Sequence, residues 1–271
     1  MSSASVKTPA SNASFDLDYS IEDFEVDPNP DSTFLYRRIE AAMADESAVP
    51  GGRTLDVACG VGKLAMRARE RGTEAWGIDA SPEMLGLNRW VFPGSDLPMA
   101  RSVAETLPFR DGAFDRVVCQ GSLDHFVDPP AFMREAARVL SPDGRVAIAL
   151  ANYDSLSCRL GQLWRNLQVR RGASLPEHRP YWAIPLDHFH KGDLPFVKRL
   201  GGRDLKLERC YGVSLLWLLR DSKDWQWGET LAGMPISVAN AILYGLDRIA
   251  YVLPGQADMI VSVWRHAGKR A

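Results

Sequence analysis

The segment Thr54-Leu55-Asp56-Val57-Ala58-Cys59-Gly60-Val61-Gly62-Lys63 limits what the chain can fold into more than any other stretch. Leu55, Val57 and Ala58 form a short apolar run of the kind that becomes a buried strand. Gly60 and Gly62 interrupt it, and Lys63 to Arg69 has helix-forming composition. Strand, glycine turn and helix, in that order, open a nucleotide-binding α/β unit. Glycine lets backbone approach a ligand closely and take φ/ψ values that a Cβ forbids. The first N–H groups of the helix have no intrahelical partner and point at whatever lies over the turn.

The next segments extend this unit. Ala75-Trp76-Gly77-Ile78 reads as a second strand ending at Asp79. That acid stands about 20 residues past the glycine turn, where a carboxylate can accept from both hydroxyls of a ribose. Ser81-Pro82-Glu83 opens a helix, with serine as cap and proline in the first turn. Pro98 to Phe109 covers a third strand and its loop, and Asp111 to Cys119 a turn followed by a fourth strand. Gln120 and Gly121 then fall at a strand's carboxyl end, the edge where open α/β sheets bind ligands. Pro130 to Leu140 is amphipathic at helical period, Ser141-Pro142-Asp143-Gly144 stops it, and Arg145 to Leu150 is a fifth strand. Asp193 caps a short helix that ends at Gly201-Gly202, and Asp204 to Cys210 and Ala257 to Trp264 supply strands six and seven.

Four stretches carry a family resemblance. Asp56-Val57-Ala58-Cys59-Gly60-Val61-Gly62 resembles motif I of the class I S-adenosylmethionine (SAM) methyltransferases. Asp79-Ala80-Ser81-Pro82-Glu83-Met84-Leu85 resembles the segment after motif I. Ser102 to Phe109 is similar to G-D-A-E-x-L-P-F, and Glu135 to Gly144 to E-x-x-R-V-L-x-P-G-G. The likeness runs over roughly residues 50–152 and is nearest to the small-molecule branch that includes quinone-biosynthesis methyltransferases.

The resemblance implies an α/β, Rossmann-like, seven-stranded and mostly parallel sheet with helices on both faces. The last strand is then antiparallel and inserted between strands five and six. It also implies SAM as cofactor, held by Asp56, Ala58, Gly60, Gly62, Asp79, Ala80, Met84, Ala104, Glu105, Gln120 and Gly121. Val103 departs from the pattern, because relatives place there an Asp that holds the adenine amine. Backbone near Ala104, or Glu105, is the expected substitute. Asp115, matching motif II, has a structural role by the same resemblance.

The chain divides as follows. Residues 1–30 form a disordered or cofactor-covering leader, 31–152 the SAM-binding core, 153–192 a cap insert, and 193–271 the rest of the core with a helical insert at about 211–256. A helix over Thr33 to Met43 precedes the first strand, and Tyr19, Tyr36 or Arg37 could close over the cofactor. The inserts are apolar and aromatic, as in Leu215-Leu216-Trp217-Leu218-Leu219 and Trp225-Gln226-Trp227. They read as helical caps over an apolar or aromatic acceptor, and equally as extra core or a homodimer interface.

A net charge of −2 gives no electrostatic footprint for nucleic acid. No apolar run reaches transmembrane length, so integral membrane association is not expected. The four cysteines are scattered without a C-x-x-C pair, which fits a reducing cytoplasm and gives no sign of a metal.

Methyl transfer from a sulfonium needs an acceptor held in line and, for a hydroxyl, a base. His125 follows the fourth strand, and His188 and His190 lie in Asp187-His188-Phe189-His190, where alternate residues of extended chain share a side. These three are the candidate catalytic residues, and Asp124 reads as a loop hydrogen-bonder. The expected function is SAM-dependent methylation of a small organic acceptor in secondary or cofactor metabolism, with O-methylation favoured and C- or N-methylation open. The rival is a methyltransferase-like SAM-binding or regulatory module without turnover. The glycine spacing disfavours a NAD-type dehydrogenase.

Overall fold

A computed structural model describes residues 33–172, 182–184, 188–216 and 236–268. The leader, and parts of both inserts including Trp217, Trp225 and Trp227, lie outside the described residues.

Helix α1 (Thr33–Ser47) leads into β1 (Arg53–Val57), α2 (Lys63–Glu70), β2 (Glu74–Asp79), α3 (Pro82–Val91) and β3 (Met99–Arg101). The chain continues through β4 (Phe114–Gln120), α4 (Pro129–Val139), β5 (Leu140–Ala151), α5 (Leu156–Arg170), α6 (Leu194–Leu200), β6 (Leu205–Val213), α7 (Ile236–Val252) and β7 (Met259–His266). The seven strands form one sheet in the order β3-β2-β1-β4-β5-β7-β6. β7 alone runs against its neighbours, antiparallel to both β5 and β6, as expected.

Strand periodicity explains the two-sided burial. On β4, Val117 and Cys119 join one core with Phe132 and Met133 of α4 and Phe196 and Val197 of α6. Val118, between them, joins the opposite core with Ile39 and Met43 of α1. On β5, Val146, Ile148 and Leu150 face α4 and α6, whereas Ala147 and Ala149 face α1. The small alanines let α1 lie close to the sheet. Removing a fully buried aromatic such as Phe132 would cost about 3–5 kcal/mol.

Caps fall where the sequence places them. Ser81 Oγ accepts from the Met84 N–H at the start of α3, and Asp193 Oδ1 from the Phe196 N–H at the start of α6. Asp115 accepts from the Arg53 N–H and the Ser141 hydroxyl, a structural role that ties β1 to β5.

Two expectations are corrected. Ser141-Pro142-Asp143-Gly144 does not separate α4 from a strand at Arg145. β5 begins at Leu140, which pairs with Phe114, and the register then jumps to Arg116 with Arg145. The turn residues are an irregularity inside the strand. Gly201 follows α6 but has φ −61°, so it is no left-handed stop. A Cβ there would lie 3.1 Å from the Trp264 ring, so the glycine serves close packing on β7.

Helix α7, the described part of the second insert, packs against β6 and α1. Its Asp247 accepts from the Ser214 N–H (2.8 Å) just past β6 and from Arg38 Nε (2.9 Å) on α1. This end of the insert is extra core.

Candidate functional site: the carboxyl edge of β1, β2, β4 and β5

The glycine turn takes the conformation its sequence requires. Ala58, Gly60 and Gly62 have φ of 55°, 54° and 81°, all left-handed. At Ala58 that conformation costs about 1–2 kcal/mol, which the surrounding bonds must offset. The two glycines differ in surroundings. A Cβ on Gly62 would strike Leu97 Cδ2 at 2.6 Å, so this glycine is needed for packing. A Cβ on Gly60 would meet only Met84 Cε at 3.6 Å, so this glycine fronts open space.

Both acids brace the turn. Asp56, buried at the end of β1, accepts from the Ala65 N–H inside α2 at 3.1 Å. Burial pushes its carboxyl up to about 7, and the nearby Asp79 charge adds to this, against the lowering effect of the Ala65 bond. Asp79, at the end of β2, uses both oxygens. Oδ2 accepts from the Gly60 N–H at 2.8 Å and Oδ1 from the Ser81 N–H at 2.9 Å. Asp79 therefore joins the first βα turn to the second, at the carboxyl edge of β2. Met84, on α3, closes the side of this edge next to Gly60.

The third loop is held from two directions. The Ser102 N–H donates to the Asp79 carbonyl, and Arg101 Nε to the Ala80 carbonyl. Ala104 is buried, and Val103 is half-buried. Glu105 does not stand alone as a substitute adenine acceptor. Its Oε1 takes the N–H groups of Val127 (3.1 Å) and Asp128 (3.3 Å), so it ties this loop to the segment after β4. Arg138 of α4 donates to the carbonyls of Leu107 and Phe109 and pairs with Glu135, whose carboxylate also accepts from the Leu107 N–H.

At the end of β4 the chain turns through Gly121, with φ 70° and nothing within 4 Å of an added Cβ. The Oε1 of Gln120 is buried there without a hydrogen-bond partner among the described residues. A buried carbonyl oxygen without a partner is costly, and a ligand donor would satisfy it. Open space at Gly60 and Gly121 together with this orphaned oxygen is what a cofactor with an ammonium end would fit.

The histidines separate into two groups. His188 Nδ1 lies 2.9 Å from Asp124 Oδ2, and both side chains are nearly buried. The His125 ring stands edge-on to His188 with centroids 4.3 Å apart, and the Tyr153 hydroxyl is 3.4 Å from His188 Nδ1. His190 does not share this pocket. Its Nε2 lies 3.1 Å from the Phe126 carbonyl and its ring stacks on Phe196 at 5.4 Å. The reason is local. The N–H groups of Phe189 and His190 both donate to the Asp124 carbonyl, which bends the segment and breaks the alternation of extended chain. Asp124 is thus more than a loop hydrogen-bonder, since backbone and side chain together set the His188 segment. The sequence signal was its adjacency to His125 at the end of a cofactor strand. The pairing with His188 joins distant parts of the chain and leaves no local trace.

Residues 55–148 match a methyltransferase domain family. Over 113 residues the chain is 33% identical to the ubiquinone biosynthesis O-methyltransferase of Xanthomonas campestris pv. campestris, covering 41% of this chain and 47% of that protein. It is 37% identical over 109 residues to an uncharacterized methyltransferase of Mycobacterium bovis, covering 40% of this chain and 42% of that protein. The chain thus spans about half the length of the curated relatives it matches. Among solved structures, a chain of the complex between the Haloferax volcanii Trm112 methyltransferase activator and a methyltransferase aligns with TM-score 0.57 at 18% identity, covering 87% of this chain and 92% of that one. That likeness shows the fold.

Proposed function

We propose that this chain, whose residues 55–148 match a methyltransferase domain family, is a class I SAM-dependent enzyme that transfers a methyl group from SAM to a small organic acceptor. The observation that carries the reading is the open carboxyl edge. Gly60 and Gly121 leave room for a close approach at this edge, the Asp79 carboxylate and the unpartnered Gln120 oxygen stand at its strand ends, and Asp124, His125 and His188 cluster past the end of β4.

Bound SAM would supply a methyl on a sulfonium, already activated for transfer to an acceptor's lone pair with sulfur as the leaving group. The residues do the rest. In this reading the Asp79 carboxylate accepts from ribose hydroxyls, and Gln120 Oε1 from the methionine ammonium. Asp124 orients His188, and this cluster receives the proton that a hydroxyl acceptor must lose. O-methylation is therefore the favoured outcome, in line with what the Xanthomonas relative's name says of that protein. The apolar and aromatic composition of the two inserts suits an apolar or aromatic acceptor made in secondary or cofactor metabolism. No described helix is long and apolar enough to cross a membrane.

Calorimetric titration with S-adenosylhomocysteine and, separately, NAD tests the cofactor. Binding of the first alone is expected, and binding of NAD alone would refute the reading. Incubation with SAM and a panel of phenols, quinols and carboxylic acids, read by mass spectrometry, then tests the acceptor class. Methylation only of amines or carbon acceptors would refute the O-methyl assignment.

A further inference from the structure

We infer that Asp124, His125 and His188 form a binding site for one divalent transition-metal ion, and that an oxygen-bearing acceptor completes its coordination. The inference deepens the methyl-transfer reading in its second part, whereas ion binding itself stands independently of it.

Three observations support the site. One ligand atom from each of the three residues lies within 4.8 Å of the others, so a modest contraction brings all of them onto a common ion. The two imidazoles are adjacent, with ring centroids 4.3 Å apart and planes at 71°, so the cluster brings two nitrogen-bearing rings together beside the Asp124 carboxylate. The third observation is independent of the clustering. Asp124 is 2% exposed, and its Oδ1 is buried with no hydrogen-bond partner among the described residues. A buried carboxylate oxygen without a donor costs several times an ordinary lost bond. A cation supplies what the protein does not.

The donor set fixes the class of ion. Two imidazoles and a carboxylate suit Zn²⁺, Co²⁺, Mn²⁺ or Fe²⁺, whereas Mg²⁺ and Ca²⁺ prefer all-oxygen sites. Three protein ligands leave coordination positions open, which is the arrangement of sites that act on a bound molecule. Tyr153, whose hydroxyl is 3.4 Å from His188 Nδ1, stands where it can hydrogen-bond to an ion-bound oxygen. An acceptor hydroxyl on the ion would have its acidity increased and its oxygen fixed in place, and its proton would pass to solvent, so that with the ion bound the three side chains act as ligands and no longer as the base. Acceptors with two adjacent oxygen donors are then favoured over those with one.

The test uses full-length protein with any affinity tag removed, dialysed first against chelator and then against Co²⁺, Zn²⁺ or Mg²⁺. We expect one Co²⁺ or Zn²⁺ per chain by elemental analysis, a visible ligand-field spectrum with Co²⁺, and no competition by Mg²⁺. His125→Gln and His188→Gln should each weaken binding more than about tenfold. His190→Gln, outside the cluster, should leave it unchanged. Melting curves and S-adenosylhomocysteine titration of each variant report whether fold and cofactor cradle survive. Absence of a bound ion, or binding that persists in both cluster variants, overturns the metal site. In that outcome, retained S-adenosylhomocysteine binding with methyl transfer in chelator leaves the methyl-transfer reading standing. Loss of S-adenosylhomocysteine binding in the wild type refutes that reading without touching the metal result.

Discussion

Asp79 makes bonds before any ligand arrives, so its removal should be felt twice. In Asp79→Ala the Gly60 and Ser81 N–H groups lose acceptors at 2.8 and 2.9 Å. Hydrogen bonds to a carboxylate contribute about 1.5–3 kcal/mol each. The carboxyl is only half-buried, and water can reach the freed donors, so the low end applies to both. The sum is about 3 kcal/mol. For a domain of this size each kcal/mol moves the midpoint by about 2–4 °C, which gives a fall of roughly 6–12 °C without ligand. Lost ribose contacts then weaken S-adenosylhomocysteine by a further 1–3 kcal/mol, or about 5–150-fold. Calorimetry measures the first effect and titration well below the new midpoint the second. A ligand-free midpoint within about 1 °C of wild type would refute the bracing role. An unchanged dissociation constant would remove Asp79 from the ribose.

Asp56 gives a pH test. Its carboxyl titrates near 7 in the folded protein against 3.8 as a free side chain. Between those values the folded state holds a proton that the unfolded state has released, so stability is greatest in acid and falls as pH rises toward 7. At about 1.4 kcal/mol per pH unit, wild type should lose roughly 3 kcal/mol relative to Asp56→Asn between pH 5 and 8, and parallel denaturation profiles would contradict this. The two turn glycines should part company. Gly62→Ala, whose Cβ meets Leu97 at 2.6 Å, should cost about 1–3 kcal/mol of stability. Gly60→Val should abolish S-adenosylhomocysteine binding by filling the open space, and a titration unchanged from wild type would show that this space is not the cofactor's. Glu105→Ala frees two backbone donors and should lower stability by about 1–2 kcal/mol, read by urea denaturation at neutral pH.

Much of the fold was legible because its signals are local. The alternation of apolar residues on β4 and β5, the serine and aspartate caps of α3 and α6, and the glycine turn each act within a few residues of themselves. The order of the strands, with β7 between β5 and β6, is not local, and came from family likeness. Failures occurred where a distant contact overrode a local rule. Gly201 resembles a helix stop until Trp264, from the far end of the chain, is seen to fill the space beside it. His190 resembles a partner of His188 until the Asp124 carbonyl bends the segment between them. Val103 departs from the family pattern, but nothing in the sequence showed that Glu105 is already engaged by Val127 and Asp128.

That engagement has a consequence for the order of events. Glu105 lies in the loop expected to border adenine, and the residues it holds sit between the Asp124 cluster and the first turn of α4. Ordering one side of this link therefore restrains the other, and the coupling is reciprocal by thermodynamic necessity. If a first ligand at this edge orders that link, it lowers the entropy left for a second to remove, and the two would then bind cooperatively.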